Sequence, residues 1–155
     1  MKHLKKLSLA ALFVLVLSGV ASAFFGPKIG EIDQATFKEK LGQPGVIVVD
    51  VRPEEVYNGK APREGIPGGH IPGTINFPLA KLKEEGAAEA LTAAGIVKDV
   101  EVIVYCNSGK QSNEFAEALV KDFSFEAEKV TNYKGGVIDW SKTADNKLEP
   151  EGHDK

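Results

Sequence analysis

Cys106 is the one cysteine in the chain, and its neighbours are those of a nucleophile. The apolar run Val102-Ile103-Val104-Tyr105 reads as a strand. It breaks at Cys106 into the polar stretch Asn107-Ser108-Gly109-Lys110-Gln111-Ser112, and an amphipathic helical pattern follows at once. A thiol at the carboxyl end of a strand, ringed by loop amides and facing the positive end of the next helix, can ionise near neutral pH and hold an anion beside it. The plain alternative for a lone cysteine is burial as a small hydrophobe. The chemical reading expects the sulfur to meet solvent within a nest of N–H groups, and burial in hydrocarbon far from any concavity would end it.

Other reactive side chains are few. One cysteine cannot form an internal disulfide or a cysteine-rich zinc site, and His3, His70 and His153 lack metal-ligand spacing. These residues do not point to a metal site. Asp50 and Arg52 follow a β-branched run and are expected to pair with each other or with the cysteine loop, since charges near a strand end need partners. His70 can reach the same rim, or can hydrogen-bond loop backbone.

The elements that must position these residues alternate between strand and helix patterns. Asp33 caps an expected helix through Leu41, ended by Gly42-Gln43-Pro44-Gly45. Val46 to Val51 is too continuously apolar for a strand with one wet face and is expected in the middle of a parallel sheet. Pro53 opens a short helix to Tyr57, and Asn58 to Gly69 is loop-like. His70 to Phe77 reads as extended, Leu79 to Ala94 as helical, and Glu101 to Tyr105 as the second core strand. Ser112 to Phe123 carries one apolar stripe at helical spacing. A short strand is expected near Ala127 to Val130, then a helix around Val137 to Ser141 with Trp140 as a core anchor, and beyond Thr143 a loose polar tail. Strands separated by helices imply an α/β domain, a mostly parallel central sheet with helices on both faces. Ligands in such sheets sit outside the carboxyl ends of the strands, where Asp50, Arg52 and the cysteine loop fall together.

The chain's start reads as an export signal. Lys2, Lys5 and Lys6 precede an apolar Leu7 to Val20 and the small-residue site Ala21-Ser22-Ala23. Cleavage after residue 23, preferred over retention as an anchor, removes three lysines and no acids, so the net charge moves from −3 to −6. An acidic mature chain with no basic cluster is a poor partner for nucleic acid or anionic membranes, and no stable membrane insertion is expected after processing. The expected location is the periplasm, and in an oxidising compartment an unpaired thiol is intermolecular, inert or chemically employed.

Four segments, Val49-Asp50-Val51-Arg52, Gly69-His70-Ile71-Pro72-Gly73-Thr74-Ile75-Asn76, the Cys106 to Ser112 loop and Gly135-Gly136-Val137-Ile138-Asp139-Trp140, resemble in order and spacing the single-domain rhodanese family of sulfurtransferases. The resemblance implies a rhodanese-like domain over residues 24–143, between the signal at 1–23 and the polar tail at 144–155. It implies that Cys106 takes a sulfane sulfur from a small anionic donor such as thiosulfate, polysulfide or a persulfide. The sulfur then passes as a persulfide to cyanide, a thiol, or a redox or sulfur-carrier protein. Asn107, Ser108, Gly109, Lys110, Gln111 and Ser112 would cradle that sulfur, with Asp50, Arg52 and His70 in support, and no metal or organic cofactor is implied. Many members of that family carry arginine where Gln111 stands, which leaves Lys110 as the nearest positive charge and the donor open. Two alternatives compete. One is an exported sulfur-carrier or regulatory module without fast turnover; the other is a cysteine-dependent phosphatase or arsenate reductase, disfavoured because Ser112 occupies the place of the arginine that clamps an oxyanion.

Overall fold

A computed structural model describes residues 26–150, so the expected signal at 1–23 lies outside the described residues. Five strands, β1 (Gly30–Ile32), β2 (Val46–Asp50), β3 (Ile75–Asn76), β4 (Glu101–Tyr105) and β5 (Val130–Tyr133), form one sheet in the order β1-β5-β4-β2-β3. Every pairing is parallel. Five α-helices connect them: α1 (Gln34–Lys40), α2 (Glu54–Tyr57), α3 (Ala87–Ala93), α4 (Lys110–Asp122) and α5 (Gly136–Trp140).

The β-branched runs of β2 and β4 follow from burial on both faces. Successive side chains on a strand point to opposite sides. Val49, Val102 and Val104 accordingly pack with Leu91 of α3 and Phe115, Ala116 and Leu119 of α4, while Val48, Ile103 and Tyr105 pack with Phe37 of α1 and Val137 and Trp140 of α5. The helices thus cover both faces. Val49 lies opposite Val104 in the register, and the Val51 amide donates to the Tyr105 carbonyl at 3.1 Å. Val51 and Cys106 therefore leave the sheet side by side.

Local chemistry sets the ends of the elements. The Asp33 side chain accepts the Thr36 amide at 2.9 Å and caps α1, which holds its carboxyl below the usual carboxylate range. The run from Leu79 is not one helix: Leu79–Lys83 is a 3₁₀ segment, and α3 restarts only after Gly86, whose φ of 80° is left-handed. Of the expected extended segment from His70 to Phe77, only Ile75–Asn76 joins the sheet, because Thr74 Oγ1 donates to the Ile71 carbonyl at 2.7 Å and closes a turn. Ala127–Lys129, whose residues favour helix, forms a 3₁₀ turn where a strand was expected, and β5 begins at Val130. Helix α4 starts at Lys110, two residues earlier than the apolar stripe indicates.

The expectation of a loose polar tail is corrected for residues 144–150. Trp140 Nε1 donates to the Lys147 carbonyl at 2.9 Å, Leu148 packs on the α1/α5 cluster, and Glu149 exchanges backbone bonds of 2.6 and 2.8 Å with His70. Those bonds are made mostly by main chain, so polar composition does not disclose them. Among the described residues no helix is long and apolar enough to cross a membrane.

Candidate functional site

Cys106 continues the alternation of β4, so its side chain lies on the α3/α4 side with Val102 and Val104. The Gly109 amide donates to its sulfur at 3.2 Å, and the Ser112 hydroxyl lies 3.3 Å from it. Gly109 has φ 88°, and a Cβ there would fall 2.6 Å from the Lys134 carbonyl oxygen. Glycine is thus required twice over, for the left-handed turn and for the close approach of the chain after β5. Cys106 is 2 % exposed, which corrects the expectation of a solvent-facing thiol. The loop folds inward over the sulfur because Gly109 and Ser112, both small and both buried, replace water as its hydrogen-bond partners.

The remaining loop residues divide by orientation. Ser108, Lys110 and Gln111 are exposed. Asn107 Oδ1 accepts Arg52 Nη1 at 3.3 Å. Arg52 in turn donates through Nε and Nη2 to both Asp50 carboxylate oxygens, at 2.9 and 2.6 Å, and through Nη2 to the Gly69 carbonyl at 2.6 Å. Both members of this ion pair are buried, and such a pair is tolerable only when its hydrogen bonds are complete. Burial works against the guanidinium charge, yet the hydrogen bond and charge of Asp50 outweigh it, and the Arg52 pKa is raised. Asn76 Nδ2 bonds the carbonyls of Asp50 and Arg52 at 2.9 and 2.8 Å, bridging backbone as its residue type suggests.

His70 stands in a different place from the sulfur's contacts. Its ring stacks on Tyr57 at a centroid distance of 3.6 Å, Nδ1 bonds the Tyr57 carbonyl at 2.9 Å, and Nε2 lies 3.9 Å from a Glu149 carboxylate oxygen. It clasps the C-terminal segment. Tyr105 is likewise structural: burial, then the charge of Asp50, raises its pKa well above the usual range, and its hydroxyl accepts the Ile71 amide at 3.1 Å.

Two residues beyond those expected complete the site. Asn132 of β5, 1 % exposed, places Oδ1 2.7 Å from the Ser112 hydroxyl and donates from Nδ2 to the Gly109 carbonyl at 3.0 Å. The strand expected from the sequence ends at Val130, so the sequence carries no signal for Asn132. Gly136, with φ 58°, lets α5 approach so closely that a Cβ would lie 2.4 Å from the Cys106 carbonyl oxygen. The Val137 and Ile138 amides then donate to the Cys106 and Asn107 carbonyls at 3.0 and 3.1 Å. Those bonds fix the peptides of the loop's first turn.

A groove of about 570 Å³ opens on the same side of the sheet as the sulfur, lined among others by Val51, Leu79, Gln111 and Glu114. Val51 and Leu79 also pack in the cluster that contains Cys106.

The profile of the rhodanese-like domain family matches residues 33–143, most of the chain and all of this site. The chain belongs to that family. Over 112 residues this rhodanese-like domain is 32 % identical to the 3-mercaptopyruvate sulfurtransferase of Escherichia coli K12, covering 66 % of this chain and 39 % of that protein. It is 34 % identical over 108 residues to the sulfur carrier protein TtuD of Thermus thermophilus, covering 60 % of this chain and 37 % of that one. A sulfurtransferase of Allochromatium vinosum is 27 % identical over 126 residues, 80 % of this chain and 99 % of that protein. The rhodanese-like domain thus spans about two fifths of the first two relatives and nearly all of the third. The anaerobic ergothioneine biosynthesis enzyme of Chlorobium limicola shares the fold, with a TM-score of 0.71 at 20 % identity over 79 % of this chain and 28 % of that one.

Proposed function

We propose that this rhodanese-like domain is a sulfurtransferase in which Cys106 carries the sulfur. The observation that supports it above others is the sulfur's setting, at the end of β4 with the Gly109 amide and the Ser112 hydroxyl directed at it, in a family whose relatives include proteins named sulfurtransferase. The Cys106 thiolate attacks the sulfane sulfur of a donor; an S–S bond forms, the donor's bond to that sulfur breaks, and the donor remnant leaves with the bonding pair. With thiosulfate the leaving group is sulfite. Cyanide or a thiolate then attacks the outer sulfur of the Cys106 persulfide and bonds to it, the S–S bond breaks with its electron pair going to Sγ, and the Cys106 thiolate is restored. Hydrogen bonds from preset donors stabilise the anionic sulfur in both steps without reorganising solvent. No metal or organic cofactor is needed for either displacement.

The groove beside Val51 and Gln111 is the proposed approach route. Donor preference follows from what the loop offers near that route: Gln111 on the groove wall and the adjacent, exposed Lys110, with no arginine in the loop. A polysulfide or persulfide therefore suits the site better than thiosulfate, whose dianion is best bound by a guanidinium fork. We also propose that the domain works after export, because of the basic, apolar and Ala21-Ser22-Ala23 pattern of the first 23 residues. Fractionation of producing cells that left the full-length chain in the cytosol would contradict it.

One experiment tests the central reading. Residues 24–155 are treated with thiosulfate, polysulfide or mercaptopyruvate and examined by mass spectrometry. One added sulfur is expected on Cys106, removable by cyanide or thiol and absent from Cys106→Ser. The similarity to a sulfur carrier protein favours a second reading, slow carriage rather than turnover. It is distinguished by labelling with very slow release. No adduct with any donor refutes both, and Cys106-dependent turnover of a phosphate ester without sulfur transfer would favour the phosphatase alternative.

A further inference from the structure

The two groups that touch the Cys106 sulfur share one support. The Gly109 peptide donates its N–H to the sulfur at 3.2 Å, while the Gly109 carbonyl accepts Asn132 Nδ2 at 3.0 Å and the Asn113 amide at 3.1 Å. The Ser112 hydroxyl, 3.3 Å from the sulfur, lies 2.7 Å from Asn132 Oδ1. The direction of the Asn132 amide is set by these neighbours: the carbonyl of Gly109 can only accept, so the NH₂ group faces it and Oδ1 faces Ser112. Asn132 and Ser112 are both buried, at 1 % and 0 % exposure, so water does not stand in for either bond. The position of Asn132 is itself fixed by the sheet, since β5 pairs it with Val104, two residues before the cysteine.

We infer that Asn132 is a positioning residue for the reaction at Cys106. It holds both donors in place, the Gly109 amide through its own carbonyl and the Ser112 hydroxyl through Oδ1. This inference rests on the reading of Cys106 as the reacting thiol. The hydroxyl has one hydrogen and two acceptors. While the sulfur carries its proton, Ser112 donates to Asn132 Oδ1 and its lone pairs face the S–H. When the sulfur ionises, the same hydroxyl can rotate its hydrogen onto the thiolate, its oxygen still held at the right distance. Donors directed at the charged form favour it. Loss of Asn132 frees the Ser112 hydroxyl from its acceptor and leaves the Gly109 carbonyl held by the Asn113 amide alone.

The test reads thiolate formation directly. The rate of Cys106 alkylation by iodoacetamide is followed against pH in the wild type, Asn132→Leu, Asn132→Ala, Ser112→Ala and Ser112→Ala/Asn132→Leu. Leucine preserves the volume of asparagine without its polar atoms, so it decides the matter should the alanine variant fail to fold. The midpoint of the profile is expected to rise by about half a pH unit or more in each asparagine variant. A smaller rise is expected for Asn132→Leu in the Ser112→Ala background, because part of the effect passes through that hydroxyl. Arg52 with Asp50 behind it, Lys110 at the start of α4, Lys134 against Gly109, and Lys81, Lys83, Glu84, Glu54 and Glu114 around the groove are unchanged in all variants. A folded Asn132→Leu protein with an unchanged midpoint, even with a lowered Tm, would overturn the inference. So would a lowered midpoint, which would mean that Asn132 competes with the sulfur for the hydroxyl hydrogen. Alkylation needs no sulfur donor, so failure here is separate from failure of sulfur transfer.

Discussion

Gly136→Ala places a single methyl group against the backbone that carries the cysteine. The new Cβ would lie 2.4 Å from the Cys106 carbonyl oxygen, 2.6 Å from that of Asn107 and 2.7 Å from the Asn107 carbonyl carbon. These are main-chain atoms, so no side chain can swing aside. An L-residue at φ 58° costs about 1 kcal/mol. Backing α5 away lengthens the bonds from the Val137 and Ile138 amides, at about 1 kcal/mol each. Residual overpacking contributes about 1 kcal/mol more. The sum, about 4 kcal/mol, is a large part of the stability of a domain this size. It corresponds to a fall in Tm of roughly 15 °C. Thermal unfolding followed by circular dichroism measures it, and alkylation of Cys106 in the folded variant is expected to quicken as the loop is pushed outward. A Tm within about 3 °C of wild type would refute the reasoning, since 1 kcal/mol alone moves Tm by that much. It would mean that the turn after β5 can move away from the loop at little cost.

Other outcomes follow from the same geometry. Lys110→Ala is expected to weaken binding of an anionic donor by no more than about fivefold, because an exposed lysine contributes at most about 1 kcal/mol, and titration of the donor at low and high salt checks it. Tyr105→Phe leaves the buried Ile71 amide without its acceptor and is expected to cost about 2 kcal/mol at neutral pH, read from urea unfolding. The folded state also holds the Tyr105 proton more tightly than the unfolded chain does. That contribution is fully present below about pH 10 and is lost as pH rises further, so Tm is expected to fall on the alkaline side, and less steeply in Tyr105→Phe. Ending the chain after Asp145 removes the Leu148 contact and both backbone bonds to His70; a loss of roughly 3 kcal/mol is expected, whereas a tail that contributed nothing would leave the urea midpoint in place.

Sequence alone determined the parts whose causes lie within a few residues. Asp33 caps α1 through a bond to Thr36, the strand Glu101–Tyr105 ends where polar residues begin, and Gly109 takes the left-handed turn that a tight loop requires. The continuous β-branched runs disclosed a sheet covered on both faces, since one wet face would have left alternation. Even the partnership of Asp50 with Arg52 was legible, because two charges at a buried strand end need each other.

Tertiary structure decided what depends on register and on which loop meets which. Asn132 reaches Ser112 and Gly109 only because β5 lies beside β4 with Asn132 opposite Val104, and no spacing along the chain states that pairing. The approach of Gly136 to the Cys106 carbonyl, the closing of the loop over the sulfur, and the docking of Glu149 on His70 have the same character. Each is made by backbone groups or small side chains whose partners are remote in sequence. A main-chain N–H or carbonyl is the same in every residue, so composition and periodicity carry no record of where it bonds. The chemistry proposed for Cys106 was suggested by the order of its neighbours; the degree to which the sulfur is covered, and by which donors, was written only in the packing.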